Sequence, residues 1–246
     1  MISVCIATYN GESFIKKQLF SILNQLSEND EIIISDDGST DKTLEIIHSM
    51  DDDRIKVLHH KKKRIDHRSM SHIYTSANFE NAIKNAKGDY IFLADQDDVW
   101  YPEKVEKMIK SLSKKENILV VSNFSVIDAH NNIIAPVFFN KKPIKKNLFN
   151  NLLKAPFFGC CMGFRRELLK YVLPFPKNLI LHDNWIGILA LYYGNVEYIN
   201  EPLILYRRHQ NNVSQDKGKS KNPLWYKIYY RGTLYFQYRK RINKVI

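Results

Sequence analysis

The run Tyr90-Ile91-Phe92-Leu93-Ala94 stops abruptly at Asp95-Gln96-Asp97-Asp98. Five apolar residues make a short strand of the kind buried on both faces. Three carboxylates in the next four positions, left unpaired, repel one another and raise one another's pKa. The arrangement makes sense if a divalent cation sits there, since Mg²⁺ and Mn²⁺ take hard oxygen ligands and often substrate phosphates. In open α/β sheets, ligands bind outside the carboxyl ends of strands. The tetrad therefore points to a phosphate-bearing substrate held through a metal at a strand end. The competing reading is a solvated acidic turn that caps the next helix.

The rest of the chain supplies such a sheet. Ile2–Ala7, Glu31–Ser35, Ile55–Leu58 and Ile118–Ser122 read as further strands. Between them, residues 12–26 carry Ile15, Leu19, Ile22, Leu23 and Leu26 at helical spacing. Ser39 or Thr40 is placed to cap a helix running to about Met50. Phe79–Ala86 reads as a helix ended by Gly88, and Pro102–Leu112 as one opened by proline. Alternating strands and helices predict an α/β fold with a largely parallel sheet. Thr8-Tyr9-Asn10, Asp36-Asp37 and Asp95 to Asp98 each sit just past a strand, so parallel pairing brings them to one crevice. Beyond residue 130 the pattern weakens. Leu179–Tyr193 resembles a helix with His182-Asp183 near its start, and Val196–Ile199 and Leu203–Tyr206 look like short strands. The small-residue run Gly159–Phe164 fits either close backbone approach to a ligand or tight packing.

The 246 residues suffice for one large domain, or a domain with an appendage. No apolar stretch approaches a membrane span. The chain enters its first strand without the basic flank of a signal peptide, which points to the cytoplasm. Cys5, Cys160 and Cys161 read as reduced, buried thiols without zinc spacing. The net charge of +11 is localised: residues 207–246 hold eleven Lys/Arg against one acid, so the body is nearly neutral. A basic tail points to an anionic membrane surface or a nucleic acid.

Taken in order, Ser3-Val4-Cys5-Ile6-Ala7-Thr8-Tyr9-Asn10, Ile34-Ser35-Asp36-Asp37-Gly38-Ser39-Thr40-Asp41 and Ala86-Lys87-Gly88-Asp89-Tyr90 lead to Asp95-Gln96-Asp97-Asp98-Val99-Trp100. This ordered set resembles family 2 glycosyltransferases over about the first 110 residues. The likeness continues more loosely through His182-Asp183-Asn184-Trp185 and Tyr206-Arg207-Arg208-His209. The forms of these motifs look most like bacterial rhamnosyl-, galactosyl- or glucosyltransferases of surface polysaccharide assembly. The resemblance implies a GT-A fold, a UDP- or dTDP-sugar donor, Mg²⁺ or Mn²⁺, and inversion at the anomeric carbon. It implies that Thr8, Tyr9 and Asn10 line the nucleotide pocket and that Asp37 accepts from the ring imide N–H of the base. Asp95 and Asp97 match the metal and diphosphate motif, and Asp183 the general base. His209 falls near the diphosphate, and Arg68 in a loop that can reach the donor phosphates. Each role has a plainer rival. Asp36 and Asp37 also suit a helix-capping turn, Asp183 a helix N-terminal acid, Tyr9 a core aromatic, and His209 a paired surface histidine.

On this reading residues 1–212 form the GT-A domain, with a nucleotide-sugar half (1–110) and an acceptor-side half (111–212). Residues 213–246 form a basic amphipathic segment. If helical, it places Trp225, Ile228, Tyr229, Tyr235, Phe236 and Ile242 on one side and Lys227, Arg231 and Arg241 opposite. Such a segment suits the headgroup layer at the inner face of a bacterial membrane, where a lipid-linked or saccharide acceptor would lie. Packing on its own domain or on a second subunit is the alternative, which leaves a homo-oligomer open. The acidic crevice and neutral body argue against nucleic acid. Two other functions compete: a sugar-phosphate nucleotidyltransferase, disfavoured because Ala7-Thr8-Tyr9-Asn10 lacks a Gly-rich, Arg-containing loop, and a non-catalytic sugar-nucleotide-binding subunit.

Overall fold

The computed structural model describes residues 1–60, 71–140, 144, 148–154, 156–209 and 223–245. Arg68, expected near the donor phosphates, and residues 213–222 of the C-terminal segment lie outside the described residues. The first half follows the expected alternation. Strands β1 (Ile2–Thr8), β2 (Glu31–Asp36), β3 (Ile55–His59) and β4 (Tyr90–Asp95) are separated by helices α1 (Ile15–Leu23), α2 (Thr43–His48) and α3 (Ser71–Asn85). They pair in parallel in the order β3-β2-β1-β4. Every residue of β2 is buried, as are Val4, Cys5 and Ile6 of β1 and Ile91 to Ala94 of β4. Their unbroken apolar runs are what covering both faces of a parallel sheet requires.

The second half is more irregular. A two-residue strand β5 (Val99–Trp100) precedes α4 (Lys104–Leu112), then β6 (Ile118–Ile127) and a short β7 (Ile133–Ala135). Helix α5 (Leu148–Lys154), β8 (Met162–Arg165), α6 (Leu169–Val172), α7 (His182–Tyr193), β9 (Asn195–Arg207) and α8 (Leu224–Val245) complete the chain. The sheet continues β4-β8-β6-β9-β5, with β8 antiparallel to β4 and β6, and β6 parallel to β9. The small-residue run Gly159–Phe164 is thus a 3-10 turn entering β8.

Several boundaries differ from the sequence expectation. The strand begun at Ile118 runs on to Ile127, because its polar Ser122, Asn123 and Ser125 are all buried against neighbours. Val196–Ile199 and Leu203–Tyr206 are one strand, interrupted by a register shift opposite Asn123. Helix α2 starts at Thr43, held by Asp41, whose carboxylate accepts from the Thr43 N–H at 3.0 Å and the Thr43 hydroxyl at 2.5 Å. Ser39 is not its cap, since its hydroxyl donates to Asp36 at 2.5 Å.

Helix α8 is formed as expected, but its orientation corrects the sequence reading. Leu234, Tyr238 and Ile242 are buried one turn apart. Arg241 also turns inward, donating to the carbonyls of Tyr171 and Leu173 with its guanidinium 5.1 Å from the Trp185 ring. Ile242 and Arg241 therefore belong to the packed face. Trp225, Ile228, Tyr229 and Phe236 point to solvent.

Candidate active site

The parallel register aligns Thr8 with Asp36 and Ala7 with Asp95, so three strands end at one edge of the sheet. On the β1–β2 side the polar groups are paired with one another. Asp36 accepts from the Thr8 hydroxyl at 3.0 Å and from the N–H groups of Gly38 and Ser39, both at 2.9 Å. It shapes the turn, and the Thr8 side chain is buried beneath it. Asn10, at φ 49°, receives the Thr40 N–H on its side-chain oxygen and donates its own N–H to Ser39, both at 2.9 Å. The Gln96 amide grips Tyr9, accepting its N–H at 2.9 Å and donating to its carbonyl at 3.1 Å. Tyr9 and Asn10 thus form a braced loop over the end of β1. Asp37 is buried, with one carboxylate oxygen 3.0 Å from His60 Nδ1.

The loop after β4 is built differently. Asp95, Asp98 and Cys160 bring one donor atom each to within 4.8 Å of one another. Burial, then the charges of Asp97 and Asp183, push the Asp95 carboxyl up to about 7. Burial with Asp97 and Asp95 holds Asp98 well above the usual carboxylate range. Asp98 accepts the Arg207 N–H at 2.9 Å on one oxygen, while its buried Oδ2 has no partner among the described residues. Asp97 turns its carboxylate to His209 Nε2 at 2.7 Å, and its carbonyl accepts from Arg207 Nε at 2.8 Å. The buried Lys104 donates to the Cys160 carbonyl at 2.9 Å, its ammonium 4.6 Å from the Trp100 ring. Burial pulls its pKa down to about 8.

Asp183 sits in the first turn of α7, pushed up to about 6 by burial. Beside it His182 stacks on Phe79 with ring centroids 4.4 Å apart, and its Nδ1 lies 3.3 Å from the Ser76 hydroxyl. A Cβ on Gly159 would meet His182 Nε2 at 2.9 Å and Asp183 Cβ at 3.8 Å, so a glycine there lets the turn close against α7.

The expected residues Thr8, Tyr9, Asn10, Asp37, Asp95, Asp97, Asp183 and His209 therefore share one edge of the sheet. The negative charge of Asp183 raises Asp95 as that of Asp97 does, and Gly159 lets the turn carrying Cys160 close against α7. Sequence reasoning missed Lys104 and Arg207 as partners of the acidic loop, and Cys160 as a member of it. Arg207 stood inside a motif already singled out, but nothing in the spacing marks Lys104. The donor set fits a dication: two carboxylates hold protons they would otherwise shed, and one buried oxygen is without a hydrogen bond among the described residues.

A mixed sheet whose parallel strand ends carry acidic loops is the architecture of this chain, and comparison with known proteins gives its class. Residues 3–173 match the family described as Glycosyl transferase family 2, and the chain belongs to it. It is 29% identical over 230 residues to the UDP-Glc:alpha-D-GlcNAc-diphosphoundecaprenol beta-1,3-glucosyltransferase WfgD of Escherichia coli, covering 92% of this chain and 84% of that protein. It is 30% identical to the dTDP-rhamnosyl transferase RfbG of Shigella flexneri over 231 residues, 84% of this chain and 72% of the relative. Among solved structures, S. aureus TarS 1-349 in complex with UDP-GlcNAc aligns with a TM-score of 0.69 at 18% identity. That alignment covers 95% of this chain and 66% of the TarS chain. The mannosyltransferase PcManGT from Pyrobaculum calidifontis in complex with GDP-Man and Mn²⁺ aligns at 0.59 and 20% identity, covering 88% and 58%. These likenesses establish the GT-A type of fold. The protein is a glycosyltransferase.

Proposed function

We propose that this glycosyltransferase moves a sugar, with inversion, from a UDP- or dTDP-sugar to a hydroxyl of a saccharide or lipid-linked acceptor in bacterial surface polysaccharide assembly. The observation that carries the reading is the meeting of two differently tuned acidic groups, the Asp95–Asp98 loop and Asp183, at the edge braced by Tyr9 and Asn10. The donor and acceptor printed in the name of the Escherichia coli relative support the substrate class.

Inverting transfer is one in-line displacement. The acceptor hydroxyl must lose its proton as it attacks, so a carboxylate must be in reach. Asp183 takes that role, and a pKa near 6 keeps it ionised yet basic at neutral pH. Tyr9 and Asn10, braced over the buried Thr8, form the wall for the nucleotide, and Asp37 accepts from the base. Asp95 and Asp97, with Asp98 beside them, would hold Mg²⁺ or Mn²⁺, which supplies positive charge against the leaving diphosphate. His209, 2.7 Å from Asp97, stands where it can orient that carboxylate and meet the diphosphate.

Helix α8 supports work at the inner face of the cell membrane. Trp225 is 68% and Phe236 72% exposed, on a basic helix whose opposite stripe is packed. Aromatic and basic side chains together suit an anionic headgroup layer. No described helix is long and apolar enough to cross a membrane.

The test is transfer from radiolabelled nucleotide-sugars to lipid-linked acceptors with Mn²⁺. Asp183→Asn is expected to lower kcat by about 10³-fold, within the usual range for losing a general base, with donor binding retained. Equal kcat in that variant, or nucleotide binding lost together with transfer, removes Asp183 from the role.

A further inference from the structure

Lys104 is a buried charge that the transfer reaction leaves without a role. It stands in the first turn of α4 and is fully buried. Its root is clamped on both sides. Ser21 of α1 receives the Trp100 N–H at 3.0 Å, and the side-chain oxygen of Gln25 receives the Val105 N–H at 3.0 Å. Among the described residues the Lys104 ammonium makes one hydrogen bond, to the Cys160 carbonyl at 2.9 Å, and it lies 4.6 Å from the centre of the Trp100 ring. An ammonium carries three N–H donors and gives up strong hydration when buried. A methionine would fill nearly the same space without that loss, so packing alone gives no reason for a lysine here.

What the ammonium holds is the turn Gly159–Cys161, which stands between the two acidic groups. On one side, Cys160 shares the 4.8 Å cluster with Asp95 and Asp98. On the other, Gly159 abuts α7, where an added Cβ would lie 2.9 Å from His182 Nε2 and 3.8 Å from Asp183 Cβ. The turn's own hydrogen bonds run from the Cys161 N–H to the Phe158 carbonyl at 3.1 Å and from the Met162 N–H to the Gly159 carbonyl. Neither uses the buried Cys160 carbonyl, which is left for Lys104 to satisfy. The lysine also brings a charge to the cluster. Burial pulls its pKa down to about 8 against the opposing pull of Asp98 and Asp95, so it is mostly protonated at neutral pH. In turn its charge lowers the pKa of Asp95.

We propose that Lys104 is a positioning residue with two linked effects: its hydrogen bond to the Cys160 carbonyl fixes the turn that spaces the Asp95–Asp98 loop from Asp183, and its charge opposes a divalent cation in that loop. A turn free to shift moves Gly159 against α7 and Cys160 against Asp95, and displacement chemistry tolerates little misplacement of its groups. Like charges in a buried setting repel strongly, so removing one tightens the binding of the other. The charge effect rests on the metal reading above; the tether does not.

Lys104→Met removes donor and charge together, and Lys104→Gln removes the charge while keeping an N–H donor. Three readouts apply to the full chain. Hydrogen exchange at the Cys161 amide of metal-free protein is expected to quicken about tenfold or more in Lys104→Met. Its kcat for sugar transfer should fall about tenfold with donor KM nearly unchanged. The Kd for Mn²⁺ alone, read from the paramagnetic resonance signal of the free ion, should fall about fivefold. Lys104→Gln is expected to match that gain in Mn²⁺ affinity with smaller changes in exchange and kcat, and it carries the test should the methionine variant not fold. A residue kept for stability alone would lower Tm and leave all three readouts unmoved, which overturns the proposal. Weaker Mn²⁺ binding in both variants overturns the charge effect. Wild-type protein that binds no Mn²⁺ removes the metal reading and the charge effect together. Exchange at Cys161 then decides the tether, with faster exchange in Lys104→Met supporting it and unchanged exchange overturning it.

Discussion

Two acidic loops end strands β2 and β4, one on either side of β1, at almost the same height, yet they are opposite in character. Asp36 is surrounded by donors: a hydroxyl from Thr8, another from Ser39 and two backbone N–H groups. Asp95 and Asp98 are buried against one another and against Asp97, which is paired with His209, and the buried Lys104 is a weak counterweight because burial itself lowers its pKa. The first loop is finished by folding. The second is left with an electrostatic debt that a ligand can relieve. Carboxylates that flank β1 at one edge of the sheet therefore serve different ends, and their hydrogen bonds tell them apart.

The sharpest way to break this comparison is to neutralise one member of each loop. Asp36→Asn should destabilise the protein by about 2–3 kcal/mol, because charge-assisted hydrogen bonds to a buried carboxylate are lost. Asp95→Asn should instead stabilise the metal-free protein at pH 8, by roughly 1–3 kcal/mol, since it removes a charge that folding disfavours. Urea titrations of the two variants decide the matter; equal signs would dissolve the distinction.

The same contrast predicts a pH dependence. A carboxyl whose folded pKa is raised holds its proton longer in the folded than in the unfolded chain. The contribution of Asp183 and Asp95 is therefore fully present below the ordinary carboxylate value, and it is lost as pH rises through about 6 and 7. Metal-free protein should show a falling Tm between pH 4 and pH 8, with Mn²⁺ flattening the fall. A metal-free Tm that climbs over that range would mean the pocket is already compensated.

Gly159→Ala sharpens the link between the turn and α7. A methyl group 2.9 Å from His182 Nε2 should cost about 1–3 kcal/mol and lower kcat more than donor KM, as α7 is pushed from its place. Unchanged melting and kinetics would show that the contact relaxes freely. The smallest effect on stability belongs to α8. Replacing Trp225 and Phe236 together by Ser should leave Tm within about a degree, because both side chains are exposed. Binding to phosphatidylglycerol vesicles should fall about tenfold. Retained vesicle binding would assign the exposed stripe to another partner.

How much of this could be read from the chain depended on regularity. The first four strands announce themselves as apolar runs, and parallel pairing of such runs places Thr8, Asp36 and Asp95 together without further information. Asp183 was marked by the likeness of His182-Asp183-Asn184-Trp185 to the family motif, and the helix pattern beside it placed it in a first turn. The second half resists reading because its strands are interrupted by buried polar residues. Ser122, Asn123 and Ser125 look like the end of a strand, yet all three are buried inside the sheet, where Ser125 donates to the Pro136 carbonyl at 2.6 Å and Asn123 to the Phe139 carbonyl at 2.8 Å. Lys104 was illegible for a related reason. A lysine in a helix first turn reads as solvated, and only the fold reveals the buried carbonyl of Cys160 that receives it.

The central claim is that the Asp95–Asp98 loop grips the diphosphate through a divalent cation. It is tested most directly by the rate of sugar transfer in chelator-treated protein. The account predicts a fall of about 100-fold or more, reversed by adding Mn²⁺ or Mg²⁺ and not reversed in Asp95→Asn. Full activity without metal would contradict it.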